Sequence, residues 1–148
     1  MYNCSAKYRD ACDSGKVIYA SFYRTLLMLN KLQLKQIDIK KHLMQEEIGQ
    51  IALYGCNDVT ELLVELLTQN NFLEFELYDE NPSKSKGKYP TIKIHNAHEI
   101  AEQKECNLWI VMSNYNFNEI AEQLFLQKVD YSKIISVEEF LATFLWEE

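Results

Sequence analysis

The residues best suited to chemistry lie in one turn between a predicted strand and a predicted helix, in QIALYGCNDVTELLVELL, residues 50–67. In a dinucleotide-binding loop, the first glycine makes the tight turn, the second lets a pyrophosphate approach the backbone, and the third lets the helix pack against the strand. Gly55, Asn57 and Thr60 stand at these three positions. The turn is therefore kept, and the other two glycines are replaced.

The replacements change what the turn can bind. Asn57 places a side chain where phosphate oxygens would lie, and Thr60 adds bulk beneath the helix. Asp58 puts a negative charge in the first helical turn, where it satisfies the helix dipole and repels an anion. These features count against tight dinucleotide binding and favour a self-capped helix with Asn57 or Asp58 as the N-cap.

An acidic residue follows at the end of the next predicted strand. Asp79 comes 24 residues after Gly55. In Rossmann folds, the acidic residue that binds the ribose follows the glycine-rich turn by roughly 20 residues. Lys84, Lys86 and Lys88 then lie on a loop that could reach a phosphate. The alternatives are an acidic strand end leading into a turn, and a solvated basic loop.

Two amides and an aromatic ring follow the fourth predicted strand. Asn114, Tyr115 and Asn116 are expected at the carboxyl edge of the sheet, where ligands bind in such folds. They suit a sugar or a base, and equally an ordinary loop. The candidate binding residues are therefore Gly55, Asn57, Asp79 and Asn114.

Other reactive side chains form no catalytic or metal-binding pattern. Cys4, Cys12, Cys56 and Cys106 are too widely spaced for a metal site and are expected to be free thiols. His95 and His98 are predicted to form the start of a short helix rather than a metal site. Ser113 has no flanking glycine, as a nucleophile elbow requires, and the strings around Tyr8 and Tyr115 do not supply the Tyr-x-x-x-Lys pair expected of a sugar epimerase. We therefore predict a binding protein rather than an enzyme, with no catalytic residue.

Hydrophobic periodicity places these residues on an α/β framework. Strands are predicted at 50–54, 72–78, 90–94, 107–113 and 133–137, and helices at 16–34, 39–47, 58–70, 99–105, 118–127 and 138–146. Alternating strands and helices imply parallel pairing through right-handed crossovers. The prediction is a Rossmann-like, doubly wound parallel sheet of five strands in the order 3-2-1-4-5. Residues 1–48 are expected to form a polar tail and helical extension, and 49–148 the Rossmann-like domain.

The predicted helix at 16–34 has a wide apolar surface. Its main stripe contains Ile18, Phe22, Leu26 and Leu29, and Tyr19, Tyr23 and Leu27 widen it. Such a surface exceeds what one small sheet face needs. The helix is therefore expected either to pack on the sheet or to bind a partner, as a homodimer or with a transferase subunit.

Charge and hydropathy exclude several classes of partner. The net charge of −7 argues against binding nucleic acid or an anionic membrane surface. No apolar run reaches the roughly 18 residues of a membrane helix, and the first residues, MYNCSAKYRD, lack the apolar core of a signal peptide. The expected location is the cytoplasm.

Four segments together resemble a known group of domains: IALYGCNDVTELLVELL, ELYDENPSKSKGKYP, NLWIVMSNYNFNEIAEQL and KIISVEEFL. They resemble the small Rossmann-like domains associated with bacterial surface-polysaccharide biosynthesis, as in the N-terminal domains of sugar O-acyltransferases and in glycosyltransferase-linked domains. The resemblance covers about residues 35–141. It implies nucleotide-sugar binding, with matching positions only at Gly55 and Asp79, and the catalytic repeat domain of the acyltransferases has no counterpart here.

Three functions remain open from the sequence. The first is a non-catalytic module that binds a nucleotide or nucleotide-sugar, with NAD as another possible ligand. The second is a protein-interaction domain whose nucleotide pocket is degenerate and empty. The third is a small nucleotide-sugar-modifying enzyme, which the single small domain disfavours because it lacks the second lobe that usually closes over a sugar.

Overall fold

The computed structural model describes residues 6–85, 87–102 and 106–146, with side chains described from residue 18 onward except at 101 and 102. The helices are α1 (Ala6–Leu34), α2 (Ile39–Gln45), α3 (Asp58–Gln69), α4 (Phe117–Leu126) and α5 (Val137–Leu145). The strands are β1 (Ile51–Tyr54), β2 (Phe75–Asp79), β3 (Ile94–Asn96), β4 (Leu108–Val111) and β5 (Ile134–Ser136). Short 3-10 helices occupy Pro82–Ser85, Ala97–Glu102 and Tyr131–Lys133.

The five strands form one sheet in the order β3-β2-β1-β4-β5. Every neighbouring pair is parallel. The predicted α/β class and the strand order 3-2-1-4-5 are therefore confirmed. Because β1 pairs with both β2 and β4, the chain reverses its winding direction at β1. The carboxyl ends of β1 and β4 form the crevice in which such sheets bind ligands.

Two apolar layers enclose the sheet. On one face, α1, α2, α3 and α5 pack over side chains that include Leu53 and Ile110. On the other face, α4 and the 3-10 helix at Ala97–Glu102 cover a second cluster around Tyr78 and Trp109. The four residues of β1 are buried, as expected for a central parallel strand whose two faces are both covered.

The N-terminal helix differs from its prediction in length and in orientation. It begins at Ala6, so the expected polar tail over 1–15 is helical from that residue; Cys4 and the rest of 1–5 lie outside the described residues. Met28, Leu29 and Leu32 enter the core shared with α3 and α5. Leu26, which belongs to the same predicted stripe as Leu29, is 44% exposed, whereas Thr25 is buried against the domain.

Two segments around the edge strand also differ from prediction. β3 spans Ile94–Asn96 instead of 90–94, since Pro90 lacks the N–H that a ladder needs and the chain turns there. The helix predicted at 99–105 is the 3-10 helix Ala97–Glu102, and residues 103–105 lie outside the described part. Among the described residues, no helix has the length and apolar character needed to span a membrane.

Candidate functional site

Gly55 makes the turn between β1 and α3. Its φ is +104°, a conformation that residues with a Cβ rarely adopt. Its N–H donates to the carbonyl of Tyr78 at 2.8 Å, which extends the pairing of β1 with β2. An added Cβ would lie at an ordinary 3.7 Å from the Cβ of Met112. The backbone conformation, rather than lack of space, therefore requires glycine at this position.

Asn57 caps α3 and also bridges two strands. Its Oδ1 accepts from the N–H of Thr60 at 3.1 Å, while its own N–H donates to Thr60 Oγ1 at 3.2 Å. Its Nδ2 donates to the carbonyl of Met112, just beyond β4, at 2.8 Å. The expected self-capped helix is confirmed. The side chain also ties the end of β1 to the end of β4 across the crevice.

Asp79 lies beside the turn, as its spacing from Gly55 predicts. Its Oδ2 accepts from the N–H of Cys56 at 2.8 Å, and its Oδ1 accepts from the N–H of Asn81 at 2.7 Å. Each carboxylate oxygen has two lone pairs, so each retains one for a ligand donor. The N–H of Cys56 is therefore bonded to Asp79, just as the N–H of Asn57 is bonded to Thr60.

An open groove of about 450 Å³ lies on the α4 side of this turn. Its lining residues come from the ends of β1, β2 and β4 and from α4: Tyr54, Gly55, Cys56, Asn57, Asp79, Glu80, Ser113, Asn116, Glu119, Ile120 and Gln123. Three of the four predicted site residues therefore meet at one groove.

The carboxylates of Asp79, Glu80 and Glu119 line the groove beside neutral polar side chains. Burial, together with the charges of Glu80 and Asp79 and a hydrogen bond to Glu80, raises the pKa of Tyr54 to about 12, so its hydroxyl stays protonated. The buried Oδ1 of Asn116 has no hydrogen-bond partner within the described structure. A buried acceptor of this kind is stabilised when a donor reaches it.

Asn114, the fourth predicted residue, lies apart from the groove. Its Nδ2 donates to Ser21 Oγ at 2.8 Å and to Thr25 Oγ1 at 3.1 Å, both on α1. Its Oδ1 accepts from the N–H of Glu138 at the start of α5, at 3.2 Å. It lines a separate cavity of about 160 Å³ beneath α1. Asn114 therefore joins α1 to α5.

The lysine loop folds over α3. Lys88 Nζ lies 3.6 Å from Asp58 Oδ1 and 3.7 Å from Glu61 Oε2. It therefore faces the two acidic residues of the first turn of α3 rather than the groove. Lys84 is exposed in the 3-10 helix at Pro82–Ser85, and Lys86 lies outside the described residues.

The groove offers no activated nucleophile among its described thiols and hydroxyls. Burial, followed by the charge of Asp79, raises the pKa of Cys56 to about 12, with Lys88 opposing the shift. A thiol with this pKa stays protonated near neutral pH and reacts slowly. Within the described ranges, no cluster of three or more His, Cys, Asp or Glu residues could hold a metal ion. Cys12 has no described side chain.

Sequence reasoning missed two acidic walls of the groove, Glu80 and Glu119. Glu80 directly follows Asp79, and the parallel pairing of β2 with β1 places both beside the turn. Glu119 lies in the first turn of α4. A helix that follows a central strand starts at the carboxyl edge, so the acidic first turn of α4 was the available clue.

Comparisons of this chain with protein-family models, with curated proteins and with solved structures find no match.

Proposed function

We propose that this protein is a non-catalytic module that binds a ligand containing a ribose and a base at the carboxyl edge of its sheet. The observation that carries the proposal is the groove of about 450 Å³ at the point where the winding of the sheet reverses, bordered by the Gly55 turn and by Asp79. Doubly wound sheets bind their ligands in this crevice. The resemblance to polysaccharide-biosynthesis domains supports a nucleotide-sugar pathway as the context.

The walls of the groove match the parts of such a ligand. Asp79 keeps a free lone pair on each oxygen, and acidic residues at this position accept hydrogen bonds from ribose hydroxyls. Glu80, beside Asp79, adds a second carboxylate that can accept from a hydroxyl or an amino group of the ligand. The protonated Cys56 thiol offers no covalent chemistry, which favours binding over catalysis.

Calorimetric titration tests the proposal. The panel contains the four common ribonucleosides, UDP-, CDP- and GDP-sugars and NAD, each at up to millimolar concentration. We expect heat of binding from at least one compound. Gln123→Trp places a large ring at the groove wall and should abolish this heat. Glu122→Trp, at the neighbouring exposed position outside the groove, should leave it unchanged. Absence of binding heat from every compound would contradict the proposal.

A second candidate function, protein interaction, is favoured by the outer face of α1. Tyr19, Tyr23 and Leu34 are 76%, 64% and 74% exposed, and Leu26 and Leu27 lie between them. Large exposed apolar patches mark interaction sites on soluble proteins. The partner in this hypothesis is a second copy of the chain or a transferase subunit. It is compatible with ligand binding, because α1 does not line the groove.

A further inference from the structure

Three carboxylates line the groove. Asp79 and Glu80 border it from the end of β2, and Glu119 borders it from α4. None of its described lining residues is a lysine or an arginine. Like charges brought together inside a concave protein surface repel more strongly than they do in open water. A phosphate in this groove would face carboxylates without a compensating cation on its walls.

The turn that would normally hold a phosphate is also occupied. Phosphate loops bind anions with backbone N–H groups at the start of the helix. Here the N–H of Cys56 donates to Asp79 Oδ2. The N–H groups of Asn57 and Thr60 donate to each other's side chains. A phosphate would have to break these bonds before it could use the same donors.

Lys88, on the loop after β2, does not supply a positive charge for a phosphate in the groove. Lys88 lies between Asp58 and Glu61 on α3, and it does not line the groove. Asp58 is almost fully exposed at the helix start, so it adds negative charge where a helix would otherwise attract an anion. The charges of the turn therefore disfavour an anion.

The same walls favour a ligand that donates hydrogen bonds. Glu80 and Glu119 are acceptors, and Asp79 keeps a free lone pair on each carboxylate oxygen. Hydroxyl and amino groups satisfy such acceptors, and a positive charge on the ligand would be attracted by the carboxylates.

We propose that the groove binds a phosphate-free nucleoside, with neutral or cationic substituents, and discriminates against its phosphorylated forms. This inference rests on the proposed function and specifies its ligand class. The ribose hydroxyls donate to Asp79 and Glu80. Glu119 supplies charge that repels phosphate.

Matched titrations test the discrimination. Each nucleoside of the panel is compared with its own 5′-monophosphate by calorimetry in buffer of low ionic strength. We expect the preferred nucleoside to bind roughly tenfold or more tightly than its monophosphate, as like-charge contacts at a binding surface predict. Glu119→Gln should reduce this ratio several-fold, because it removes one repelling charge without changing the size of the side chain.

The control is Glu122→Gln, an exposed residue of α4 outside the groove, which should leave the ratio unchanged. Added salt should lower the ratio for the wild-type protein, since screening weakens charge repulsion. A monophosphate or a nucleotide-sugar that binds as tightly as the nucleoside overturns this inference but upholds the proposed function. Absence of heat from every compound removes both.

Discussion

At the scale of single residues, Asn57 explains how the turn can lose two glycines and still fold. Its amide accepts at the helix start and donates to the end of β4. One side chain thus replaces the anion that would otherwise satisfy the helix N-terminus, and it fastens two central strands. The turn is therefore stabilised from within the protein.

Asn57→Ala should lower the free energy of unfolding by about 2 kcal/mol, because it removes both a helix cap and a hydrogen bond to a part-buried carbonyl. Asn57→Ser keeps an oxygen that can cap α3 but lacks the reach and the donor for Met112. It should therefore cost about 1 kcal/mol less than alanine. Urea denaturation of the three proteins measures both values. Equal stability of the alanine and serine variants would show that capping contributes little.

At the scale of elements, the position of α1 depends on one polar junction. Ser21 and Thr25 are buried on the inner face of the helix, and both receive hydrogen bonds from Asn114. Asn114 also accepts from the start of α5. The buried hydroxyls allow α1 to lie close to the sheet, and the amide determines where along α5 the helix sits.

Asn114→Ala should destabilise the fold by about 2 kcal/mol or more, because buried polar groups on two helices lose their partner. The effect should be uneven: amide hydrogen exchange should accelerate more in α1 than in α3, since α3 keeps its own cap and core contacts. Asn118→Ala, at an exposed position in α4, should change stability by less than about 0.5 kcal/mol. Uniformly faster exchange across the domain would contradict the junction role.

At the scale of the whole molecule, the sequence predicts strand order better than the site. Short buried strands alternating with amphipathic helices leave little choice of topology, and the spacing of Asp79 from Gly55 places both at one edge. The role of Asn114 could not be predicted, because it depends on which helix crosses the carboxyl edge 89 to 93 residues away in sequence. The exposure of Leu26 could not be predicted for a similar reason, since the apolar periodicity did not reveal that Thr25 would face inward.

The outer face of α1 gives the whole molecule one further expected property. Its exposed stripe runs from Tyr19 through Tyr23 and Leu27 to Leu34, and Leu62 of α3 is exposed beside it. Burying apolar surface stabilises association by about 25 cal/mol per Å² before the costs of ordering are subtracted. If this face is the interaction site, a second copy can cover it without blocking the groove on the opposite side of the sheet.

Sedimentation velocity at low micromolar concentration should therefore show a dimer, and Tyr23→Arg should shift it to monomer by placing a charge in the middle of the stripe. Leu126→Arg is the matched control, because Leu126 is an exposed apolar residue, 75% exposed, on α4 across the sheet from α1. Leu126→Arg should remain a dimer, and both variants should keep the wild-type fold, since neither side chain contributes to the core. A wild-type monomer, or equal dissociation by both variants, would count against pairing through α1 and leave the groove as the functional surface.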